Sequence, residues 1–396
     1  MPTIHIEATR FLKSLRNALV QNKKPLGLLI SAGCPLAVKD ASGSSLIPDM
    51  KGLSSRVFDE LKDTGIKYQD LLNELELAGK NKDNLEDILS FVRSLQLVCA
   101  GSSNIRGFTE SELNTLEKEI CRIICEKVSK RLENQDTPYH ILAQWISSID
   151  RERPVEIFTT NYDLLLEQAL EETQVPYFDG FCGSREPFFD LKAVEENLIP
   201  KHWTCLWKIH GSVNWIMTAG DKISRATGNA SSSSVQPLIY PSHLKYDQSR
   251  KMPYLALLDR LSGFLKKSNA ILVICGYSFN DHHINDTIVN ALKANPNAVV
   301  FALQYGSLYE EVNDNSKPCR YNEALKIAKG QHNLNLWTSD FAIIGTNEIR
   351  WRIPTDPKAF FKYSPIGSDD LLKIGDFNEF TEFLKSLIGE DETTLE

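Results

Sequence analysis

Val155-Glu156-Ile157-Phe158 runs straight into a polar turn, Thr159-Thr160-Asn161-Tyr162-Asp163, and then into Leu164 to Leu170. The first run reads as a buried strand and the last as a helix packed on it. A polar turn at the carboxyl end of a central strand is where open α/β sheets bind their ligands. The same residues also suit an ordinary Asn or Thr N-cap on the following helix. What lies on either side separates the two readings.

Upstream, Glu7 to Gln21 places Phe11, Leu12, Leu15 and Leu19 at helical spacing, and Lys23-Lys24-Pro25 ends that helix. Leu26 to Ser31 reads as another strand, continuing into Ala32-Gly33-Cys34-Pro35. Small residues there let backbone N–H groups approach a pyrophosphate with no Cβ in the way, although the turn has neither GxGxxG nor a Walker lysine. A loop with Ile47-Pro48-Asp49 follows. From Ser54 to Ile149 the pattern changes to long helical periodicity. Thr109-Glu110-Ser111-Glu112 matches a capping box, and Leu113, Leu116, Ile120, Ile124 and Val128 mark one face of the helix behind it.

Downstream, Leu206 to Ile209 reads as a short strand ending in His210-Gly211. A lone histidine at such a place is most often a hydrogen-bonded core residue. The Ser-rich run Thr218 to Val235 reads as a loop compatible with a lid. Ile271 to Cys275 is the cleanest buried strand, followed by Gly276-Tyr277-Ser278-Phe279-Asn280-Asp281. A helix over His283 to Lys293 comes next, with Asn280 or Asp281 as its cap. Ala298 to Leu303 is a further strand, and Phe377 to Ile388 a final helix, ahead of an acidic tail from Asp391 to Glu396. The expected fold class is α/β: a Rossmann-like parallel sheet with an inserted helical module. Residues 1–53 and 150–310 would form the α/β domain, 54–149 the module, and 311–396 a C-terminal extension of mixed short elements.

Bulk properties narrow the function. With a net charge of −8 the chain has no electrostatic footprint for nucleic acid, so direct binding of DNA or RNA is not expected. Met1 to Arg10 lacks the apolar core of a signal peptide, and Leu26 to Ala32 is too short to cross a bilayer, so the expectation is a cytoplasmic protein with no membrane partner. Eight cysteines are scattered without any CxxC, which suggests reduced thiols and neither a disulfide framework nor a zinc ribbon.

Ser31-Ala32-Gly33 with Ile47-Pro48-Asp49, then Thr160-Asn161-Tyr162-Asp163, then His210-Gly211, then Gly276-Tyr277-Ser278 form an ordered set of turns. The set resembles the sirtuin family, NAD-consuming proteins on a Rossmann-like sheet. Their successive motifs are a Gly-Ala-Gly turn, an Ile-Pro-Asp-Phe-Arg loop, a Thr-Gln-Asn-Ile-Asp turn, a His-Gly pair and a Gly-Thr-Ser turn. The resemblance covers about Leu26 to Gln304, with Val235 to Tyr240 included and the helical module outside it. Ser31 stands for the first glycine and Met50-Lys51 for Phe-Arg, and the cysteine quartet of the structural zinc is missing. These departures weigh against protein deacylation, because the zinc ribbon helps form the acyl-lysine channel. Phe158 to Asp163, Lys208 to Trp215 and Gly276 to Asp281 look closest to sirtuin-like NADases of bacterial anti-phage systems, some of which assemble with a ring-forming DNA-translocase (HerA-type) ATPase.

The resemblance implies NAD+ as substrate, cleaved to nicotinamide and ADP-ribose, with no zinc expected. By analogy Asn161 would hold the ribose hydroxyls and a water, and His210 would act as general base. Ala32, Gly33 and Ser278 would lie along the pyrophosphate, with Thr160, Gly276 and Tyr277 in the same binding turns. Asp49 and Asp163 are candidates for the nicotinamide end. A homo-oligomer is expected, with the helical module as the candidate contact, and a HerA-type ATPase as a possible partner. An NAD-dependent deacylase and a non-catalytic NAD- or ADP-ribose-sensing scaffold are the alternative readings.

Overall fold

The computed structural model describes residues 4–99, 104–133, 136–218, 222–226, 237–239, 253–310, 318–354 and 363–389. In chain order the first strands are β1 (Ile4–Glu7), β2 (Leu26–Ile30), β3 (Glu156–Thr159), β4 (Tyr177–Phe178), β5 (Phe181–Cys182) and β6 (Phe188–Phe189). Next come β7 (Thr204–Lys208), β8 (Gly211–Thr218), β9 (Lys222–Arg225), β10 (Pro237–Ile239), β11 (Ile271–Cys275) and β12 (Val299–Leu303). The last three are β13 (Leu334–Trp337), β14 (Phe341–Ile344) and β15 (Asn347–Arg352). Ten of them form one sheet, ordered β1-β15-β14-β13-β12-β11-β2-β3-β7-β4, and five form a smaller sheet, β10-β8-β9-β6-β5.

The large sheet is parallel throughout except where β14 runs against both β13 and β15. Every residue of β2, β3, β7 and β11 is buried, as expected of parallel strands covered on both faces. Alternation along each strand divides the core. Leu28, Ile30, Ile157, Leu206, Val273 and Cys275 face one layer of helices, among them Ala8–Val20, Pro138–Ser148, Leu165–Glu172 and Phe377–Ser386. Leu29, Phe158, Trp207, Leu272 and Ile274 face the other, built on Tyr254–Leu265, His282–Ala294 and Asn322–Gly330. Gly27 is required on that second face, since a Cβ there would lie 2.7 Å from the Phe264 ring.

Between β2 and β3 the chain makes the helices Met50–Leu61, Tyr68–Leu77, Leu85–Cys99, Glu110–Val128 and Pro138–Ser148. Leu71, Ile88, Leu116, Ile120 and Ile124 join the same apolar cluster as Leu28 and Ile157, so the helical segment shares its core with the sheet. The capping box at Thr109 forms as its sequence implies. The hydroxyl accepts from the Glu112 amide while the Glu112 carboxylate accepts from the Thr109 amide. The segment after Tyr305 extends the large sheet through β13, β14 and β15, and β15 pairs in parallel with β1.

This topology fixes where a ligand can bind. From β2 the chain moves outward through β3 and β7, then returns to add β11 on the opposite side of β2. The strand order therefore reverses between β2 and β11, and in open α/β sheets the crevice at the carboxyl ends beside such a reversal is the ligand site.

Candidate active site

Four turns leave the carboxyl ends of β2, β3, β7 and β11, and hydrogen bonds tie them together. After β2, Ser31 is buried, and its hydroxyl accepts from Thr160 Oγ1 at 3.0 Å. The Ser31 carbonyl accepts from Asn161 Nδ2 at 3.3 Å. A carbonyl can only accept, so this bond fixes which end of the Asn161 amide is nitrogen. Its Oδ1 is directed elsewhere and has no hydrogen-bond partner among the described residues. Asn161 also donates its own amide to Thr159 Oγ1. The side chain is thus oriented by the end of β2, and the backbone of the same residue is held by the end of β3.

Gly33, in the turn after β2, donates its amide to the carbonyl of Gly276, in the turn after β11, at 2.9 Å. Cys34 Sγ, beneath them, lies 3.3 Å from the Cys275 carbonyl, and burial pushes its thiol well up. Ala32 and Gly33 are half-buried at the rim, and Ser278 is exposed. Tyr277 turns inward: its hydroxyl lies 2.8 Å from Asn285 Oδ1 and 3.0 Å from the Asp281 carbonyl. Phe279 is buried with φ of 61°, a conformation that L side chains rarely adopt. Asn285 Nδ2 holds that strained residue by donating to its carbonyl at 2.7 Å.

His210 lies just beyond β7, after Ile209, and is 4% exposed. Its ring lies 6.3 Å from the Tyr162 ring, so it is a close neighbour of the Asn161 turn. Val213 donates its amide to the Tyr162 carbonyl at 3.0 Å, which locks the two turns together. His210 Nε2 lies 3.0 Å from Asp281 Oδ2. Asp281 is the N-cap of helix His282–Ala294, and its Oδ1 accepts from the amides of His283 and Ile284. One carboxylate therefore both starts the helix and holds the histidine. Because that carboxylate takes the first amides of the helix, those amides are committed within the protein.

Below the turn, Lys208 is 2% exposed, and its ammonium bonds the Asp163 carbonyl and lies 2.8 Å from Glu167 Oε1. Asp163 is buried, with Oδ1 accepting from the Leu165 amide. Burial pushes the Asp163 and Glu167 carboxyls up, and the Lys208 charge offsets only part of this. Asp49 is exposed and caps helix Met50–Leu61, accepting from the Gly52 amide at 2.8 Å.

The fold brings Ala32, Gly33, Thr160, Asn161, His210 and Gly276 to the carboxyl ends of the neighbouring strands β2, β3, β7 and β11. Asp163 and Tyr277 lie in the same turns with their polar groups engaged internally. Ser31, Lys208, Glu167 and Asn285 were not singled out as site residues. Asp281 was legible as a helix cap, but its hold on His210 is a tertiary contact without a sequence signal. The lid-compatible loop Thr218 to Val235 lies largely outside the described residues, apart from the hairpin of β8 and β9. The acidic tail Asp391 to Glu396 lies outside them as well. A cavity of about 700 Å³, lined by Arg10, Lys13, Asn17, Ile271, Phe301 and Asn335 among others, opens at the amino ends of β11 and β12, away from these turns.

Among the described residues no group of three or more His, Cys, Asp or Glu side chains could hold a metal ion. No described helix is long and apolar enough to cross a membrane.

A fold of this topology, with its polar turns at the reversal of strand order, defines a Rossmann-like nucleotide-binding class. Within it, residues 155–327 match the family model of the SIR2-like domain, which makes this part of the chain sirtuin-like and supports an NAD-related function. The match begins at β3 and takes in the turns bearing Asn161, His210 and Gly276. The turn bearing Gly33 precedes it in sequence and joins it in space through β2, which pairs with both β3 and β11. Comparison with curated proteins found no match.

Proposed function

We propose that the chain is an NAD+ glycohydrolase that releases nicotinamide and ADP-ribose. The observation that carries this reading is the meeting of an oriented Asn161 and a held His210 at the ends of β3 and β7, within the SIR2-like stretch. The nicotinamide nitrogen is already cationic in the substrate, so the base leaves neutral and needs no general acid. The C1′–N bond breaks with its electron pair passing to the nicotinamide ring. Water adds to C1′ and gives a proton to His210. The free Oδ1 of Asn161 is suited to accept from that water or from a ribose hydroxyl, which positions the nucleophile beside an oxocarbenium-like ribose. Ala32, Gly33, Thr160, Gly276 and Ser278 would line the remainder of the dinucleotide, with Asp49 at the outer edge.

The biological setting belongs to the same proposal. The motif resemblance supports a cytoplasmic anti-phage effector that is restrained in a homo-oligomer, partnered by a HerA-type ATPase, with residues 54–149 supplying subunit contacts. The product test is mass spectrometry of NAD+ incubated with the protein, with and without an acetyl-lysine peptide. ADP-ribose formed without peptide is the expected result. Product formed only with peptide, as acyl-ADP-ribose, would instead identify a deacylase, and saturable NAD+ binding with no product in either arm would identify a sensor.

A further inference from the structure

The cavity at the amino ends of β11 and β12 plays no part in the proposed hydrolysis. The buried residues Ile271 to Cys275, at about 3.3 Å each, put roughly 16 Å between it and Gly276. Its volume of about 700 Å³ falls within the roughly 300–1,000 Å³ of small-molecule pockets. The floor is apolar. Ile271 and Phe301 are buried side chains of the sheet, and Phe11 stands beside them, its ring 6.3 Å from that of Trp337 and 5.8 Å from that of Trp351. Asn335 of β13 is held in place, with Nδ2 donating to the Val300 carbonyl at 3.3 Å. One face of helix Ala8–Val20 forms a wall, with Arg10, Lys13, Ser14 and Asn17 at the spacing of neighbours on a helix surface.

The charge of that wall is opposite to that of the chain. The protein carries a net −8, yet residues 8–24 hold Arg10, Lys13, Arg16, Lys23 and Lys24 and no carboxylate. Arg10, Lys13 and Lys24 line the cavity, against the one carboxylate of Glu7. The side chains of Arg10 and Lys24 have no ion pair or hydrogen bond among the described residues. The backbone of Lys24 is pinned to the end of the helix, because Arg151 bonds its carbonyl at 2.6 Å and that of Leu19 at 3.0 Å. A concave surface lined by one sign of charge concentrates ligands of the other sign. A bare phosphate or sulfate would leave most of this volume and the whole apolar floor unfilled. We propose that the cavity is a second ligand site, for a nucleoside phosphate: the base lies on Phe11, Ile271 and Phe301, and the phosphates meet Arg10 and Lys24. A guanidinium suits the outer phosphate, since it can bond two of its oxygens at once. Asn17 and Asn335 supply amide groups for the base and sugar. The site is independent of the hydrolase reading and stands or falls without it.

The test is calorimetric titration of the full chain with ADP at about 0.15 M salt, where long-range attraction is screened. Adenosine and inorganic pyrophosphate, the two halves of the probe, should each bind at least about tenfold more weakly than ADP. Arg10→Ser and Lys24→Ser should each weaken ADP about 10- to 100-fold, the contribution of one hydrogen bond to a charged group. Ser14→Trp fills the cavity from an exposed helix position, keeps every charge and should abolish this binding step. Lys23→Ser removes the same charge just outside the cavity and should change the affinity less than about twofold. Photolabelling with 8-azido-ADP should mark the peptide that spans residues 8–24. ADP held at the strand-end turns would appear as a separate step that none of these substitutions moves. If that is the only step, or if the wild type binds no ADP, the proposal is overturned. Equal losses in Lys23→Ser and Lys24→Ser would reduce the effect to diffuse charge and overturn it too. Pyrophosphate bound as tightly as ADP would overturn the nucleotide assignment, because the apolar floor would then contribute nothing.

Discussion

Gly33 and Gly276 touch backbone to backbone, joined by an amide-to-carbonyl bond of 2.9 Å, and this contact closes the crevice between β2 and β11. A Cβ on Gly33 would lie 2.8 Å from Gly276 Cα, and one on Gly276 would lie 2.6 Å from the Cys34 amide nitrogen. Gly276 also has φ of 70°, so alanine there is strained as well as crowded. Gly276→Ala should cost about 2–4 kcal/mol, the sum of overpacking and backbone strain, and Gly33→Ala about 1–3 kcal/mol from overpacking alone. Urea denaturation measures both. Equal costs would show that the φ of Gly276 carries no strain, and no cost would show that the turns part easily.

Glu156 anchors the opposite end of β3. Its carboxylate is 3% exposed and meets Arg260 at 2.7 Å, Lys267 at 2.5 Å and the Trp207 indole at 2.9 Å. Replacing it with alanine leaves two cations without their buried partner and should cost about 3–5 kcal/mol. Burial alone would raise this carboxyl, but Arg260 and Lys267 outweigh burial and hold it below the ordinary value. A lowered folded pKa means stability that is present above the usual carboxylate range of about 4 and is lost as pH falls through the folded value. Melting temperature against pH should therefore fall on the acid side in wild type, and this component should be missing in Glu156→Gln.

Lys208 makes the opposite linkage visible. Asp163 and Glu167 have raised pKa values, so the folded state holds their protons more tightly than the unfolded chain does. Such groups favour folding below the ordinary carboxylate range and oppose it increasingly as pH climbs to the raised values. Lys208→Met removes the charge that limits this effect, at a cost of about 3–5 kcal/mol near neutral pH for two carboxyls left without their cation. The deficit should shrink as pH is lowered and both carboxyls become protonated. A deficit independent of pH would show that Lys208 acts only through its hydrogen bond to the Asp163 carbonyl.

Thr109 offers a test remote from the site. Loss of its hydroxyl breaks one half of the capping box on helix Glu110–Val128, and Thr109→Ala should cost about 1 kcal/mol. NAD+ turnover per folded molecule should stay at the wild-type level. A loss of turnover without loss of fold would show that the helical segment communicates with the site.

Much of the parallel core can be read from the sequence because buried parallel strands are continuous apolar runs with abrupt polar ends. Leu26–Ile30, Glu156–Thr159 and Ile271–Cys275 all fall within a residue of the expected strands. The sheet beyond β12 is less legible for physical reasons. β14 and β15 are joined at Gly345-Thr346, both with positive φ, a tight hairpin whose second residue is not one that turn chemistry favours. β1 is short and pairs with β15 from the other end of the chain, a contact no local period encodes. Asn161 and His210 stood out because each ends a strand. The Asp281 carboxylate did not, because its hold on His210 depends on how a helix docks against the sheet.

The central claim is tested most directly by nicotinamide release from NAD+ by the wild type beside Asn161→Ala and His210→Ala, all checked for fold and NAD+ binding. The account predicts release by the wild type without any peptide, reduced at least about 100-fold in each variant. Wild-type release that persists undiminished in both variants, or folded wild type that binds NAD+ and leaves it intact, would contradict it.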